Sequence, residues 1–452
     1  MQYYLDPFGC AKNQVDAENI MALLNRNGWT ASGPETADLI IINSCGFIES
    51  AKQESINAVL AWRKMYPEKK ILLTGCLAQR YKNELKESLP EADNLFGNDD
   101  LNCVVEAAGE TVNSGNSTGN KKPAAFALPA APALQVFSPG ERPLLSLLGS
   151  AYVKISEGCD NHCSFCAIPL IRGNLKSREM PEILDECRIL LERGIKELCI
   201  IGQDICSYGR DNKDINLESY IKPGLPELMQ KISGIKGEFW VRLLYMHPDN
   251  FLPAIPEIMK EDPRFLPYFD LPFQHGSQRI LGLMNRRGNM DKYLALINNI
   301  RRIFPDAVIR STFMTGFPGE TENDFRELLD FQKKACLDWA GVFAYSREED
   351  TPAYSMKHRP AKKLALERKR ILEEQQISIT EKQMDRFVGR SFDVLVEEKV
   401  EGEDGLWLGR LPFQAPEIEG SAVISSDKVL VLGTFTEGRI FARAGMDLEV
   451  RV

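Results

Sequence analysis

The hydrophobic pattern changes character along the chain, and its first region combines helical periodicity with continuous apolar runs. A short strand at Gln2–Leu5 and a helical pattern at Val15–Asn27 precede the runs Asp38–Asn43 and Lys70–Gly75. Unbroken apolar runs of this length are typical of parallel strands that are covered on both faces. Residues 1–108 are therefore predicted to form an open parallel α/β sheet.

A second alternation of strands and helices occupies residues 144–378. It follows residues 109–143, where Gly, Asn, Ser, Ala and Pro predominate and predict a linker. The strands are predicted at Ala151–Ser156, Glu197–Ile201, Phe239–Tyr245, Tyr268–Leu271, Ala307–Phe313 and Gly341–Tyr345. Helical patterns lie at Pro181–Arg193, Gly276–Asn285, Asp291–Phe304 and Glu322–Ala335. Six such units predict a partial TIM-like (β/α)6 barrel, whose chemistry lies at the carboxyl ends of the strands.

The pattern changes again near the end of the chain. Ala361–Met384 has the charged, amphipathic pattern of a solvated connecting helix. Short alternating segments follow, among them Phe392–Val396 and Lys428–Leu432, with glycines between them. Residues 384–452 are therefore predicted to form a small antiparallel β-barrel.

Composition narrows the class of protein. The chain has 452 residues, 44% of them hydrophobic and 26% charged, with a formal net charge of −9. This is the composition of a globular protein, and the acidic balance argues against broad nucleic-acid binding. No apolar run reaches the length of a membrane span, and the first residues lack the pattern of a secretory signal. The sequence therefore predicts a cytoplasmic protein without membrane association.

Three of the eleven cysteines share one octapeptide, Cys159-Asp-Asn-His-Cys163-Ser-Phe-Cys166. In a reducing compartment such spacing indicates a metal centre rather than disulfides. Three thiolates suit an iron–sulfur cluster with one open iron, whereas the alternative is a Cys₃His zinc site that uses His162. Phe165 is interpreted either as simple packing or as a wall for an adenine ring.

Three further cysteines follow three predicted strands of the first region. Cys10 lies in the loop after the first strand, and Cys45 and Cys76 end the two apolar runs. Because the carboxyl ends of parallel strands share one edge, these thiols are expected to converge. The alternative for each one alone is a buried core thiol. Cys103, Cys187, Cys199, Cys206 and Cys336 match no motif and are interpreted as structural.

The three-cysteine loop at the start of a partial β/α barrel resembles the radical S-adenosylmethionine (SAM) enzymes. The resemblance implies a 4Fe–4S cluster on Cys159, Cys163 and Cys166, whose open iron binds SAM. It also places Gln203 near the amino group of SAM, although the family more often has Glu there. Arg310 and Ser311 are weaker candidates for contacts with SAM.

The words around Cys10, Cys45 and Cys76 resemble the methylthiotransferases, a subgroup of these enzymes, and the resemblance covers nearly the whole chain. It implies a second 4Fe–4S cluster on these three cysteines, facing the first, and a terminal TRAM domain at 384–452. SAM then serves both as radical source and as methyl donor. External electron and sulfur donors are implied as partners.

Several short sequence segments resemble those of the RimO-type branch, which modifies an aspartate β-carbon in small ribosomal subunit protein twelve. They include Phe269–His275, Tyr345–Glu349 and Ala415–Glu419. Residues 386–452 contain 8 Lys and Arg against 12 Asp and Glu, a net charge of 8 − 12 = −4 that suits a basic ribosomal protein or the ribosome. The first alternative is methylthiolation of adenosine in transfer RNA, which calls for a basic barrel. The second is a non-enzymatic iron–sulfur or zinc protein.

Overall fold

The computed structural model describes residues 1–98, 100–113, 141–211, 224–416 and 419–452. These residues form two compact units. The first contains residues 1–145, 157–160 and 167–178, and the second contains residues 146–156, 161–166 and 179–452. No helix of the described ranges combines the length and apolar character needed to cross a bilayer.

The first unit is built on a five-stranded parallel sheet, as the sequence predicts. Its strands are β1 (Gln2–Pro7), β2 (Thr30–Ala31), β3 (Leu39–Ser44), β4 (Lys70–Gly75) and β5 (Asn94–Phe96), in the order β2-β1-β3-β4-β5. Its helices are α1 (Ala11–Arg26), α2 (Glu49–Met65), α3 (Cys76–Arg80), α4 (Lys82–Ser88) and α5 (Val104–Asn113), and a 3₁₀ turn spans Leu101–Cys103.

Helices cover both faces of this sheet, which explains its continuous apolar strands. All six residues of β3 are buried. Leu39 and Ile41 belong to one hydrophobic cluster, and Ile40 and Ile42 belong to another on the opposite face. The alternation of side chains along a strand therefore fills two cores at once.

Helix α5 extends further than the sequence analysis predicts. It continues to Asn113 and so includes the first five residues of the predicted linker 109–143. Val104 and Ala108 of this helix are buried in the core cluster of the first unit. Residues 114–140 of the predicted linker lie outside the described residues.

The middle of the chain supplies the parallel strands of a partial barrel. Its strands are β6 (Ser150–Lys154), β9 (Glu197–Ile201), β10 (Trp240–Leu243), β11 (Tyr268–Asp270), β12 (Val308–Thr315) and β13 (Trp339–Ala344), between which lie the two-residue strands β7 (Ser156–Glu157) and β8 (Lys176–Ser177). The helices are α6 (Ile168–Arg172), α7 (Met180–Glu192), α8 (Leu225–Ser233), α9 (Ala254–Glu261), α10 (Gln278–Leu283), α11 (Met290–Ile303) and α12 (Glu322–Ala335), with 3₁₀ turns at Ile205–Ser207, Pro248–Asn250 and Pro352–Ser355.

The six longer strands confirm the partial (β/α)6 barrel. They form two parallel groups, β10-β9-β6 and β11-β12-β13, and Val241 of β10 forms a parallel bridge with Phe265, three residues before β11. The helix bounds agree with the predicted ones to within about two residues, which is the usual uncertainty of helix ends. Helix α12 begins at its predicted residue because Thr321 and Asp324 form a capping box there.

The chain ends in helix α13 (Lys362–Asp385) and a closed five-stranded barrel. The strands are β14 (Ser391–Lys399), β15 (Leu406–Arg410), β16 (Ala422–Ser425), β17 (Phe435–Ala444) and β18 (Asp447–Arg451), in the order β14-β15-β16-β18-β17. The barrel is antiparallel except for the parallel pair β16 and β18.

The strand predicted at Lys428–Leu432 is wrong. These residues form a loop between β16 and β17, in which Val429 is 90% exposed and Val431 is 67% exposed. Four consecutive apolar residues, 429–432, suggest a strand there, but the barrel closes through the pairing of β16 with β18 and leaves this segment without a partner strand.

Candidate functional site

Cys10, Cys45 and Cys76 lie at the same edge of the first sheet. Cys10 is the N-cap of α1, Cys45 follows β3, and Cys76 is the first residue of α3, directly after β4. Strands β1, β3 and β4 are neighbours in the sheet and run parallel. The three cysteines therefore emerge side by side from adjacent strand ends.

Close backbone contacts bring the three loops together. A Cβ atom on Gly9 would lie 3.0 Å from the Cβ atom and 3.2 Å from the Sγ atom of Cys45. A Cβ atom on Gly46 would lie 2.7 Å from the carbonyl oxygen of Cys76. Glycine permits both approaches because it has no side chain. Asn13 ties the loops further, since its Nδ2 atom donates to the carbonyl of Asn43 at 3.1 Å.

The three thiols affect one another electrostatically. The pKa of the Cys45 thiol is raised to about 11, mainly by burial and in part by the neighbouring thiols of Cys76 and Cys10. Burial also raises the pKa of Cys76, although Arg172 opposes this effect. For Cys10, desolvation of the thiol raises the pKa, but Lys12, Arg172 and backbone N–H groups at the start of α1 outweigh it and lower the net value.

The donor set of this edge fits an iron–sulfur cluster. Its three cysteines are free thiols, and thiolates are the ligands that such clusters take from proteins. Among the described residues, no three Cys, His, Asp or Glu side chains are arranged to hold a single metal ion. A cubane is different in this respect, because each thiolate binds a separate iron and the sulfur atoms need not meet at one point.

The second triad lies in the loop between β7 and α6. Cys159 belongs to the first unit, where its amide donates to the carbonyl of Gly173 at 3.2 Å. Cys163 and Cys166 belong to the second unit, and the Cys166 amide donates to the Cys163 carbonyl at 3.0 Å. Ser164 anchors this part, because its hydroxyl donates to the Leu283 carbonyl at 2.7 Å.

Asp204 holds the loop from the carboxyl end of β9. Its Oδ2 atom accepts from the Nδ2 atoms of Asn161 at 2.9 Å and Asn250 at 2.7 Å, and from the hydroxyl of Ser207 at 2.7 Å. The carboxylate is 2% exposed. The sequence analysis does not predict this role of Asp204, although the segment Gly202-Gln203-Asp204 places an acidic residue just after β9. Gln203 itself is half-buried and lies immediately before Asp204, at the strand end where the sequence analysis places it.

Arg310 and Ser311 have partners other than those proposed from the sequence. Arg310 pairs through Nη1 with Asp270 at 3.0 Å and lies 3.7 Å from the carboxylate of Glu419. Ser311 is fully buried, and its hydroxyl donates to the Leu271 carbonyl at 2.8 Å. Both residues lie in the first half of β12, whereas barrel chemistry belongs at the carboxyl end. Both residues thus have partners within the second unit, and their contact with SAM stays a prediction.

The interpretation of Phe165 as a packing residue agrees with its surroundings. It packs against a buried cluster formed by Ile280, Met284, Phe317 and Ala353. These contacts hold the side chain of Phe165, which lies between Cys163 and Cys166 in sequence. A wall for an adenine ring requires a face of Phe165 outside this cluster, and the residue is half-buried rather than buried.

Two histidines near the barrel strands are held neutral. His247 lies with Nε2 at 3.9 Å from the Sγ atom of Cys163, and desolvation together with Arg286, Arg287 and Arg210 lowers its pKa to about 2. His275 is fully buried, and desolvation is the main reason that its pKa falls to about 3. His162, the ligand of the alternative zinc site, is exposed and has a positive φ of 48°.

The five remaining cysteines fit the structural role that the sequence analysis gives them. Cys187, Cys199 and Cys206 are buried, and burial raises the pKa of Cys199 and Cys206 well above the ordinary value. Buried thiols of this kind are inert. Cys103 and Cys336 are partly buried.

Comparisons with known proteins match three regions of the chain, which correspond to the three regions of its hydrophobic pattern. Residues 2–97 match the family described as "Uncharacterized protein family UPF0004", residues 153–331 match the radical SAM superfamily, and residues 388–452 match the TRAM domain. The radical SAM methyltransferase TsrM of Kitasatospora setae has a similar fold, with a TM-score of 0.53 at 14% identity over 78% of this chain and 75% of that one.

Two curated relatives span nearly the whole chain, and both are named ribosomal protein uS12 methylthiotransferase RimO. The protein of Treponema denticola is 45% identical over 98% of this chain and 99% of its own length. The protein of Carboxydothermus hydrogenoformans is 39% identical over 96% and 95%, respectively. Similarity of this extent, in a chain whose three matched regions come in this order, shows that it belongs to the RimO family of radical SAM methylthiotransferases.

Proposed function

We propose that this chain transfers a methylthio group to ribosomal protein uS12, where the group replaces a hydrogen on the β-carbon of an aspartate. The observation that carries the proposal is the meeting of Cys10, Cys45 and Cys76 at one sheet edge, in a chain that also has the Cys159–Cys166 loop. Full-length similarity to proteins named for this activity supports it. The reaction is placed in the cytoplasm, with external electron and sulfur donors.

Each part of the chain has a role in this proposal. Residues 1–108, extended to Asn113 by helix α5, form the methylthiotransferase domain, residues 144–378 the radical SAM domain and residues 384–452 the TRAM domain. The rest of the predicted linker 109–143 lies between the first two in sequence. Cys10, Cys45 and Cys76 would hold one 4Fe–4S cluster, and Cys159, Cys163 and Cys166 the other. When bound, the two clusters and SAM supply the radical, the sulfur atom and the methyl group.

The residues around the second triad hold its loop in place. Asp204 fixes the loop through Asn161, and Ser164 fixes it through the Leu283 carbonyl. Gln203, next to Asp204, is proposed to contact the amino group of SAM. His247 lies beside Cys163, and desolvation together with nearby arginines lowers its pKa; we assign it no catalytic role.

The charge of the terminal barrel favours a protein substrate over transfer RNA. Residues 386–452 have a net charge of −4, from 8 basic and 12 acidic residues. Three of the arginines are already paired: Arg410 is buried with Glu197 and Glu397, Arg390 pairs with Asp306, and Arg443 pairs with Asp385. Nucleic-acid binding requires cations that are available to phosphates. Electrostatic complementarity instead suits a basic ribosomal protein.

The test is a reaction of the anaerobically reconstituted full-length protein with dithionite, SAM, sulfide and purified uS12. Mass spectrometry of uS12 is expected to show one methylthio group on an aspartate, and chromatography to show 5′-deoxyadenosine. Cys163→Ala is expected to abolish both products. Cys45→Ala is expected to retain 5′-deoxyadenosine and lose the methylthio product, whereas the control Cys103→Ala retains both.

The same reaction separates the alternatives. A methylthiolated adenosine in added transfer RNA, with uS12 unchanged, would transfer the assignment to the nucleic-acid substrate. Bound iron without any 5′-deoxyadenosine would indicate a non-enzymatic iron–sulfur protein. Equal loss of 5′-deoxyadenosine in Cys45→Ala and Cys163→Ala would contradict the division of labour between the two triads.

A further inference from the structure

Arg172 is a buried cation that the proposed chemistry leaves without a role. It is the last residue of α6, a short helix that begins two residues after Cys166 in sequence. Its side chain is 3% exposed, and helix α6 belongs to the first unit together with the sheet and its cysteines. A buried guanidinium carries a large desolvation cost unless several partners surround it.

The partners of Arg172 include one of the proposed cluster ligands. Its Nη2 atom lies 2.8 Å from Oδ2 of Asp16 and 3.2 Å from Sγ of Cys76. Its Nη1 atom donates to Oε1 of Glu157 at 2.8 Å. The guanidinium thus stands between two carboxylates and a sulfur atom, with donors directed at all three.

Helix α6 also packs on the same cysteine. Cys76 forms a small buried cluster with Ala167, the N-cap of α6, and with Ile171 of the helix itself. The positions of Ala167 and Ile171 therefore fix the distance of Arg172 from Cys76. The contact is part of the packing and does not rest on one long side chain alone.

We infer that Arg172 is a positioning residue of the Cys10–Cys45–Cys76 site, which holds the Cys76 sulfur and makes a cluster bound there easier to reduce. The inference rests on the proposed function, because it presupposes a cluster on these three cysteines. A hydrogen bond to a cluster sulfur stabilises the more negative, reduced state. Asp16 acts in the opposite direction, since its carboxylate repels the added electron and Arg172 offsets that charge.

The test measures the reduction potential of this cluster by itself. In a background with Cys159, Cys163 and Cys166 changed to Ala, the full-length protein is reconstituted with iron and sulfide and titrated with dithionite and mediator dyes. The electron paramagnetic resonance signal of the one-electron-reduced cluster reports the midpoint. Arg172→Gln is expected to lower the reduction equilibrium constant about tenfold, or ~59 mV for one electron.

Two further variants test the direction of the midpoint shift. Asp16→Asn removes the opposing carboxylate and is expected to shift the midpoint to a more positive potential. Arg172→Lys keeps the charge and is expected to restore at least half of the shift seen in Arg172→Gln. The matched control is Arg26→Gln, because Arg26 is a half-exposed arginine of the same unit, paired with Glu141, and its loss is expected to leave the midpoint unchanged.

Each outcome decides between the inference and its alternatives. Opposite shifts in Arg172→Gln and Asp16→Asn support the inference, as does loss of the cluster in Arg172→Gln with its retention in Arg172→Lys. Unchanged midpoints, or cluster loss in both Arg172 variants with native circular dichroism, overturn it. Absence of iron from the background protein with Arg172 intact would overturn the second cluster, and with it both the proposed function and this inference.

Discussion

A buried charge network in the second unit gives a sharp test of the energetics. Glu197, at the start of β9, is fully buried and accepts from Nε of Arg242 at 2.8 Å and from the hydroxyl of Ser150 at 2.9 Å. It also pairs with Arg410 of the terminal barrel. Arg242 is fully buried, and Glu197 is its ion-pair partner among the described residues. Glu197→Gln therefore leaves a surplus positive charge in the core.

Two lines of reasoning give the same magnitude for Glu197→Gln. Removal of one partner from a buried ion pair costs about 3–5 kcal/mol. The arginines outweigh the desolvation of Glu197 and lower its pKa from 4.5 to about 2, which corresponds to about 3 kcal/mol at neutral pH. The folded pKa is depressed, so this stabilisation is present above pH 4.5 and is lost as the pH falls towards 2.

Native-state hydrogen exchange is a suitable assay, because it measures the local opening free energy and a chain with two compact units need not unfold in one step. The opening free energy of β9 and β10 is expected to fall by about 3 kcal/mol or more in Glu197→Gln. The control Glu373→Gln breaks a partly exposed i,i+4 pair with Lys369 and is expected to change this opening free energy by about 0.5 kcal/mol or less. Adding Arg410→Met to Glu197→Gln is expected to recover part of the loss. Equal effects of the Glu197 and Glu373 changes would refute the reasoning.

Three further predictions follow from single contacts. Asp204→Asn weakens the anchor of Asn161 and is expected to reduce iron retention by the Cys159–Cys166 loop about tenfold in a chelator competition. Burial raises the pKa of Glu419 to about 7, so the folded state holds a proton that the unfolded state releases. Wild-type stability, measured against Glu419→Gln, is therefore expected to fall by about 3 kcal/mol as the pH rises from 4.5 to above 7. Gly75 has φ +94°, and a Cβ there would lie 2.5 Å from the Ser44 carbonyl, so Gly75→Ala is expected to cost the first unit about 1–3 kcal/mol in urea denaturation.

The apolar pattern predicts the sheets because parallel strands place strict demands on the sequence. β3 must fill two cores, so its residues are apolar without interruption, and its bounds agree with the prediction to within one residue. The same rule places Cys45 and Cys76 at one sheet edge without any knowledge of the strand order. The order itself, with β1, β3 and β4 adjacent, comes only from the structure.

Local pattern fails where distant partners decide the outcome. Lys428–Leu432 has an apolar run typical of a strand but forms a loop, because the pairing of β16 with β18 closes the barrel without it. Arg310 has the charge expected of a ligand-binding residue. One of the groups that hold it is Glu419, which lies more than 100 positions later in sequence. Hydrophobic periodicity cannot predict such contacts, because neither partner differs from its neighbours in the local sequence pattern.

The Arg172 contacts show what geometry adds to a sequence motif. Three separate sequence segments contain Asp16, Cys76 and Arg172. Each segment has an adequate local explanation: a helix, a strand end and a proline-containing turn. The structure places the guanidinium 2.8 Å from the carboxylate and 3.2 Å from the sulfur. A change at any one of the three alters the charge around Cys76, so their effects on that sulfur are expected to be non-additive, as is general for residues that share one network. The midpoint shift of the double variant, Asp16→Asn with Arg172→Gln, is therefore expected to differ from the sum of the two single shifts. Independent roles predict a shift of the double variant that equals this sum.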